Sequence, residues 1–554
     1  MAFWRRHTKF ILLAVFLALY FLQVAPRITG DSVVNDETWE LTSGYYFWNQ
    51  VQTPSVMDHP PLALALEALP LYFFTPQTGQ ADLDLESRAY QFFYVLNQDK
   101  FKNMVSAARC VDLFFGLGIG CLLFFLLRNT PNGIWFFTMG LWAFEPSLLA
   151  LSGYAKTDIP LTFLFFAAVL LFNRALQKPG LSNGFWAGVV SAMAITAKLT
   201  GLILAPIFIL LEMFSYWKSK RAAGLPIRWL GMAAGSIIWI PILYLPQILL
   251  SGGKVNPFAL FGKKLEFIFD PAAQSHPFYF LGQCSEAHHG LYYPAVLLLK
   301  CTLPFLILLG IGLFGWLRRR LNLEPWVWVS PLVYLVLING APNLGTRYLL
   351  PAFPFFLLIG GKSAAWLWNR GGGPNWKGGA GIALLLLLWH GSETLACFPG
   401  HLSYFNELVP SRGKIHFLGD WNLDVSQDHE RLAALARVKG WSNIKLAYLG
   451  GTDPYFYGLR WRPWTEKDLS GPQRGTTYLV NAAFLQEAPC FFSSTLPIAK
   501  SWISNLKQDQ RLGDTWYYVE GPPGTPEEDK TSNLPSVPVF KYVWNLKTNQ
   551  REKP

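Results

Sequence analysis

The sequence predicts a polytopic α-helical membrane protein of about eleven transmembrane helices, followed by a small extracytoplasmic α/β domain. Composition, the spacing of apolar runs and the placement of charge carry that prediction. Of 554 residues, 52% are hydrophobic, 16% aromatic and only 15% charged, which is too apolar for a soluble globule of this size. Apolar runs near 10–27, 103–127, 133–152, 159–176, 183–199, 200–215, 229–250, 291–315, 326–342, 348–368 and 378–397 each come close to the ~20 residues that one crossing needs. The first run follows "MAFWRRHTKF" with no clean small-residue cleavage pattern after it, so it is expected to stay as the first transmembrane helix.

Charge gives the orientation. With the N-terminus in the cytoplasm, sixteen basic residues, from Arg5 and Arg6 through Arg318, Arg319 and Arg320 to Lys377, fall on that side against two acids, Glu212 and Glu324. This is the positive-inside pattern. It also accounts for the net charge of +11 without a nucleic-acid partner, because the excess sits in short loops beside the bilayer.

An odd number of spans puts the chain after 397 outside the cytoplasm, in what is expected to be the plasma membrane of the cell. The reading is of a membrane domain over 1–397, with a long first external loop at about 30–102, and an α/β domain over 398–554. In the latter, "DVSQDHERLAALARVKG" reads as an amphipathic helix, "NIKLAYLGG" and "GTTYLVNAAFLQ" as strands, and "EGPPGTPEEDKTSNLPSVP" as a Pro-rich arm. The six cysteines are scattered without metal-type spacing, and no disulfide framework is expected from them.

Topology brings one set of ionisable groups to one face: the acids Asp36, Glu37, Glu40, Asp58 and Asp158, with His59. Glu40 and Asp31 read as solvated loop residues. Asp158 opens an apolar helix, where an acid is a good cap, a role compatible with chemistry. Arg109, Lys198, Lys300 and Arg347 lie at the same depth. Ionisable groups there are costly and face partners or a cavity, and cations beside acids suit an amphiphilic substrate with an anionic head group.

In order along the chain, "DE" after the first span, "DHPPL", "AARCVDLFFGLGIG", "SGYAKTDIPLTFLFF", "TAKLTGL", "GLYYPAVLLLKCTLP", "GTRYLLPAFPF", "YFNEL" and "GDWNLDVSQD" resemble the protein O-mannosyltransferase and aminoarabinose-transferase (ArnT-like) group of membrane glycosyltransferases, which have the GT-C fold. The resemblance covers about 30–430 and implies transfer of a sugar from a polyprenyl-phosphate donor to an extracytoplasmic hydroxyl of a protein, lipid or glycan, with inversion. It implies Asp36 as base, Glu37 beside it orienting loop or acceptor, and Asp158 positioning acceptor or sugar. His59, Arg109, Lys198, Lys300, Arg347 and Tyr348 would hold the donor phosphate, while Asp58, Pro60, Pro61 and Tyr154 would shape the loop and position the acceptor. A carboxylate can take the hydroxyl's proton, and because phosphate is a good leaving group, cations suffice on its side. The intact "HPPL" after Asp58, where aminoarabinose enzymes more often have Glu-Lys, tilts the donor toward a hexose such as mannose. No cofactor is required, although Asp58 with His59 leaves a divalent metal open. The rival reading is a transporter or flippase of a lipid-linked sugar, which would more often place its charges at mid-bilayer and break its helices at Gly/Pro pairs.

Overall fold

The computed structural model describes residues 2–34, 36–50, 59–79, 83–130, 133–219, 224–266, 278–285, 289–370, 378–411, 413–464, 466–491, 502, 510–525, 543–545 and 550–552. Every apolar run of the sequence is helical. Among the described residues, seven helices are long and apolar enough to cross a membrane singly. Three more runs form the shorter apolar helices Ile134–Ala143, Leu181–Ala197 and Pro325–Ile338.

The run expected as one span at 291–315 is instead a bent pair, Tyr292–Lys300 and Leu303–Leu317, meeting at 117°. The break has a local cause. Thr302 takes an extended conformation and its hydroxyl accepts from the Phe305 backbone N–H, with Pro304 in the first turn, so a new helix starts with its own cap.

Helix Asp158–Gln177 turns back into Leu181–Ala197. Asp158, the first residue of one, and Lys198, which follows the last residue of the other, therefore come to the same end of the bundle. Leu181–Ala197 in turn lies tight against Leu225–Leu243 through Gly184, Gly188, Gly231 and Gly235. A Cβ on Gly188 would sit 2.1 Å from the Met232 carbonyl oxygen, so only glycine allows that backbone contact.

The external loop is not irregular. Helices Glu37–Asn49 and Pro61–Ala68 cross closely within it, and a Cβ on Gly44 would fall 1.9 Å from the Leu64 carbonyl. Pro60 is the cap residue and Pro61 opens the second helix, so the two prolines start a helix as well as turning the chain. Asp58 lies outside the described residues.

Past the last membrane helix, strands β1 (Ile444–Ala447), β2 (Arg462–Pro463), β3 (Thr477–Asn481), β4 (Arg511–Leu512) and β5 (Trp516–Glu520) form one mixed sheet in the order β2-β1-β3-β5-β4. It is parallel from β2 to β3 and antiparallel beyond. Helix His429–Lys439 falls in the segment read as amphipathic. The stretch "GTTYLVNAAFLQ" divides, with β3 continuing into helix Ala482–Phe491. Most of the Pro-rich arm, 526–538, lies outside the described residues.

The sheet region is bonded to the segment that leads into the external loop. Ser32 N–H donates to the Gln427 carbonyl at 2.8 Å, Val33 N–H to the Tyr457 hydroxyl at 2.7 Å, and the Thr452 hydroxyl to the Val33 carbonyl at 2.9 Å. A second link corrects the cysteine reading. Cys284, in the hairpin of Phe278–Phe280 and Gln283–Ser285, is disulfide-bonded to Cys490 in helix Ala482–Phe491 across 206 residues of sequence. Scattered positions in sequence therefore converge in space.

Candidate active site

Asp36 sits between two helices in the left-handed conformation, φ 70°. Such a backbone is uncommon outside glycine and better tolerated by Asp than by most residues. Glu37 holds it there. One Glu37 carboxylate oxygen accepts the Val34 N–H at 2.9 Å and the other the Ala155 N–H at 3.0 Å, and both receive the Arg109 guanidinium at 2.7 and 2.8 Å. Arg109 spends its remaining donors on the carbonyls of Arg27, Ile28, Asp31 and Ser32. Glu37 and Arg109 are therefore fully buried and occupied in fixing the turn, and no guanidinium donor of Arg109 is left for a donor phosphate.

That turn presents the Asp36 carboxylate, about a third exposed, to two cations. Lys156 Nζ lies 3.3 Å and Arg347 Nη1 3.9 Å from Oδ2. Burial, the largest influence, pushes the Asp36 pKa up, but the ammonium of Lys156 and the guanidinium of Arg347 outweigh it and hold the acid below the usual carboxylate range.

Lys156 also pairs with Glu40, and His59 Nε2 lies 3.7 Å from the same Glu40 oxygen. Glu40 is 2% exposed, so its reading as a solvated loop acid is corrected. It stands four residues after Asp36, on the same face of the helix, and that face points inward. Burial, the main cause, pushes the Glu40 carboxyl up. Burial works against the Lys156 ammonium, yet Glu40 and Asp36 push its pKa upward.

Asp31, also expected to be solvated, is buried. It receives Arg27 Nε at 3.2 Å, the Tyr154 hydroxyl at 2.8 Å and Arg431 of the sheet region at 2.7 Å. Tyr154 thus anchors this network, with the Arg27 and Arg109 guanidinium groups against its ring.

The second acid has its own cation, with Lys198 Nζ 2.6 Å from Asp158 Oδ1 and 4.2 Å from the centre of the Tyr348 ring. Thr157, not Asp158, occupies the cap position of that helix. Lys156 and Arg347 act electrostatically on both Asp36 and Asp158, so the two acid groups share one cationic centre. Of its cations, Arg347 has the most donor capacity left. Its Nε donates to the Leu344 carbonyl at 3.2 Å, and its terminal nitrogens make no hydrogen bond among the described residues.

Trp421 closes the site from the far end of the chain. Lys156 Nζ lies 5.2 Å and the Arg347 guanidinium 5.1 Å from its ring centre. Asn422 beside it accepts the Thr346 N–H at 3.1 Å and donates to the Tyr292 hydroxyl at 3.1 Å. Lys300, expected among the phosphate ligands, is buried and donates to the carbonyls of Leu402 and Asn422 at 2.7 and 2.6 Å. Its place is in holding the 402–422 segment. Among the described residues no group of three His, Cys, Asp or Glu side chains could hold a metal ion, and His59 faces Glu40.

Reasoning from sequence overlooked Lys156, Glu40 and Trp421 as members of the cluster. Lys156 carried a signal, since it stands two residues before Asp158 in a loop already singled out.

Residues 10–248 match the family model of dolichyl-phosphate-mannose-protein mannosyltransferase. That range includes Asp36, Glu40, Lys156, Asp158 and Lys198 and ends before Arg347 and Trp421. The crystal structure of ArnT from Cupriavidus metallidurans in the apo state is similar, with a TM-score of 0.48 and 14% identity over 87% of this chain and 95% of that one. The same protein bound to undecaprenyl phosphate gives 0.44 and 13% over 86% and 94%. The Archaeoglobus fulgidus oligosaccharyltransferase tethered with an acceptor peptide gives 0.44 and 10% over 83% and 63%. No curated protein matches the chain.

Proposed function

We propose that this chain is a membrane glycosyltransferase that moves a sugar, a hexose such as mannose, from a polyprenyl-phosphate donor to a hydroxyl on an extracytoplasmic acceptor. The observation that carries the reading is the Asp36 carboxylate set between Lys156 and an Arg347 whose terminal nitrogens are unspent, beside the Asp158–Lys198 pair. The donor class rests on the family matched over 10–248. The oxidising compartment in which disulfides persist supports an extracytoplasmic place for the sheet region through Cys284–Cys490.

The acceptor oxygen attacks the anomeric carbon as the bond from that carbon to the phosphate oxygen breaks, in one displacement with inversion. The hydroxyl proton passes to Asp36, and Arg347 takes up the charge that grows on the leaving phosphate. A carboxylate held ionised by its neighbours is a weak base, suited to a late proton transfer to which a good leaving group contributes much of the driving force. Asp158, held by Lys198, orients the acceptor or the sugar.

Arg347→Ala should raise the donor concentration needed for half-maximal transfer tens-fold, since a charge-assisted contact to phosphate contributes about 1.5–3 kcal/mol. Wild-type dependence on a polyprenyl-phosphate mannose in that variant would remove Arg347 from the phosphate site and leave the donor class resting on the family match alone.

The pH profile follows from the signs above. Asp36, with a lowered pKa, stays ionised as pH falls until below the ordinary value of ~3.9, so it contributes no loss of rate above that. An acid limb at higher pH belongs to Glu40, whose pKa is raised, and should disappear in Glu40→Gln. A limb above the ordinary carboxylate range that survives in Glu40→Gln would count against Asp36 as base.

A further inference from the structure

At the opposite end of the bundle from the acids, a cavity of about 340 Å³ opens between the start of helix Ile134–Ala143, the Arg320–Asn322 link and the last turns of helix Phe353–Arg370. Lys362, Ala365, Trp366 and Asn369 line it with Arg320. It lies roughly 25 Å from the active site, by the 1.5 Å rise per residue of the helix that begins six residues after Arg347, and nothing in the proposed transfer uses it.

Its two cations differ. Lys362 pairs with Glu324 and lies 3.4 Å from the Asn322 carbonyl. The Arg320 side chain is exposed and has no hydrogen-bond or ion-pair partner among the described residues, which leaves one charge of the cavity uncompensated. On the two helices that end beside it, Phe314, Leu317 and Trp368 are exposed apolar side chains, and the hydropathy reading places these helices in the bilayer. The aqueous end of a membrane helix, one guanidinium without a partner among the described residues and exposed apolar side chains on the adjoining helices together suit a ligand with a singly charged phosphate head and hydrocarbon chains.

We propose that this cavity binds the phosphodiester head group of an anionic membrane phospholipid, with Arg320 as its principal ligand, Lys362 at its side and the acyl chains along the exposed face of helix Leu303–Leu317. A zwitterionic choline head would set a second cation against Arg320 and is disfavoured.

The test is native mass spectrometry of the full chain in detergent, titrated separately with phosphatidylglycerol, phosphatidylcholine and inorganic phosphate. The wild type should take up one phosphatidylglycerol at least tenfold more tightly than phosphatidylcholine. Arg320→Gln should lose that preference by about tenfold or more, as expected for one charge-assisted phosphate contact. Arg319→Gln removes the same charge from a neighbour that does not line the cavity, and should leave the preference intact. Because Arg320 is exposed and has no partner among the described residues, its replacement should leave the packing unchanged. Equal losses in both variants, or no preference in the wild type, would reduce the effect to diffuse attraction by the basic loops and overturn the site. Saturation by inorganic phosphate at the same concentrations would overturn its assignment to a lipid.

Discussion

Asp36→Asn should abolish transfer while the donor still binds. The amide keeps the size of the carboxylate and can accept a hydrogen bond from Lys156, but it cannot take the acceptor's proton. General-base catalysis contributes 10²–10⁴-fold, so turnover should fall at least about a hundredfold at saturating donor and acceptor. The fold should be little disturbed, because the side chain is about a third exposed and Glu37, not Asp36, ties down the turn. Transfer assays in detergent beside a thermal melt separate the two effects. A variant that retains more than about a tenth of wild-type turnover would pass the role of base to Asp158, whose own Asp→Asn change is expected to act mainly through positioning.

The second large effect is on stability. Arg109→Met removes a guanidinium that binds both oxygens of Glu37 and four backbone carbonyls. Glu37 would then remain buried with only two N–H partners, and breaking a buried pair from one side costs about 3–5 kcal/mol. The variant should melt well below the wild type or fail to accumulate. Adding Glu37→Gln should recover part of the loss, since the amide oxygen can still accept one of the two N–H groups without a stranded charge. The opposite pattern, a wild-type melt with donor affinity weakened tenfold, would return Arg109 to the donor-binding role that its depth in the sequence suggests.

Much of this arrangement was legible in the sequence because membrane topology is an unusually strict filter. The apolar runs and the basic loops sort every ionisable group to one side or the other, and the groups left on the acidic side include Asp36, Asp158, Lys198 and Arg347, which the structure brings to one centre. What topology does not supply is the partner of each group. A lysine in an apolar run must find an oxygen, but whether that oxygen belongs to a ligand or to a carbonyl depends on a loop a hundred residues away. Lys300 meets Leu402 and Asn422 for that reason. Glu40 was misread because "ETWELTS" looks polar and solvated, and only the helix starting at Glu37 reveals that its i, i+4 spacing from Asp36 turns it inward. The break at Thr302 was readable in principle, since Thr-Leu-Pro is a helix start. The pairing of Cys284 with Cys490 was not, because nothing in their spacing brings a hairpin onto a helix 206 residues later.

The position of Trp421 bears on how the protein is made. The cationic centre is built from residues near 36, 156, 198 and 347 and is closed by an indole 385 residues after Asp36, so it is not complete in any shorter nascent chain. At synthesis rates of about 5–20 residues per second, some 20–80 s separate the emergence of Asp36 from that of the segment that closes its site. In chain order Lys156 becomes available to Asp36 and Glu40 first, then Lys198 to Asp158 and Arg347 to Asp36, so every ion pair of the centre can be made before the indole arrives.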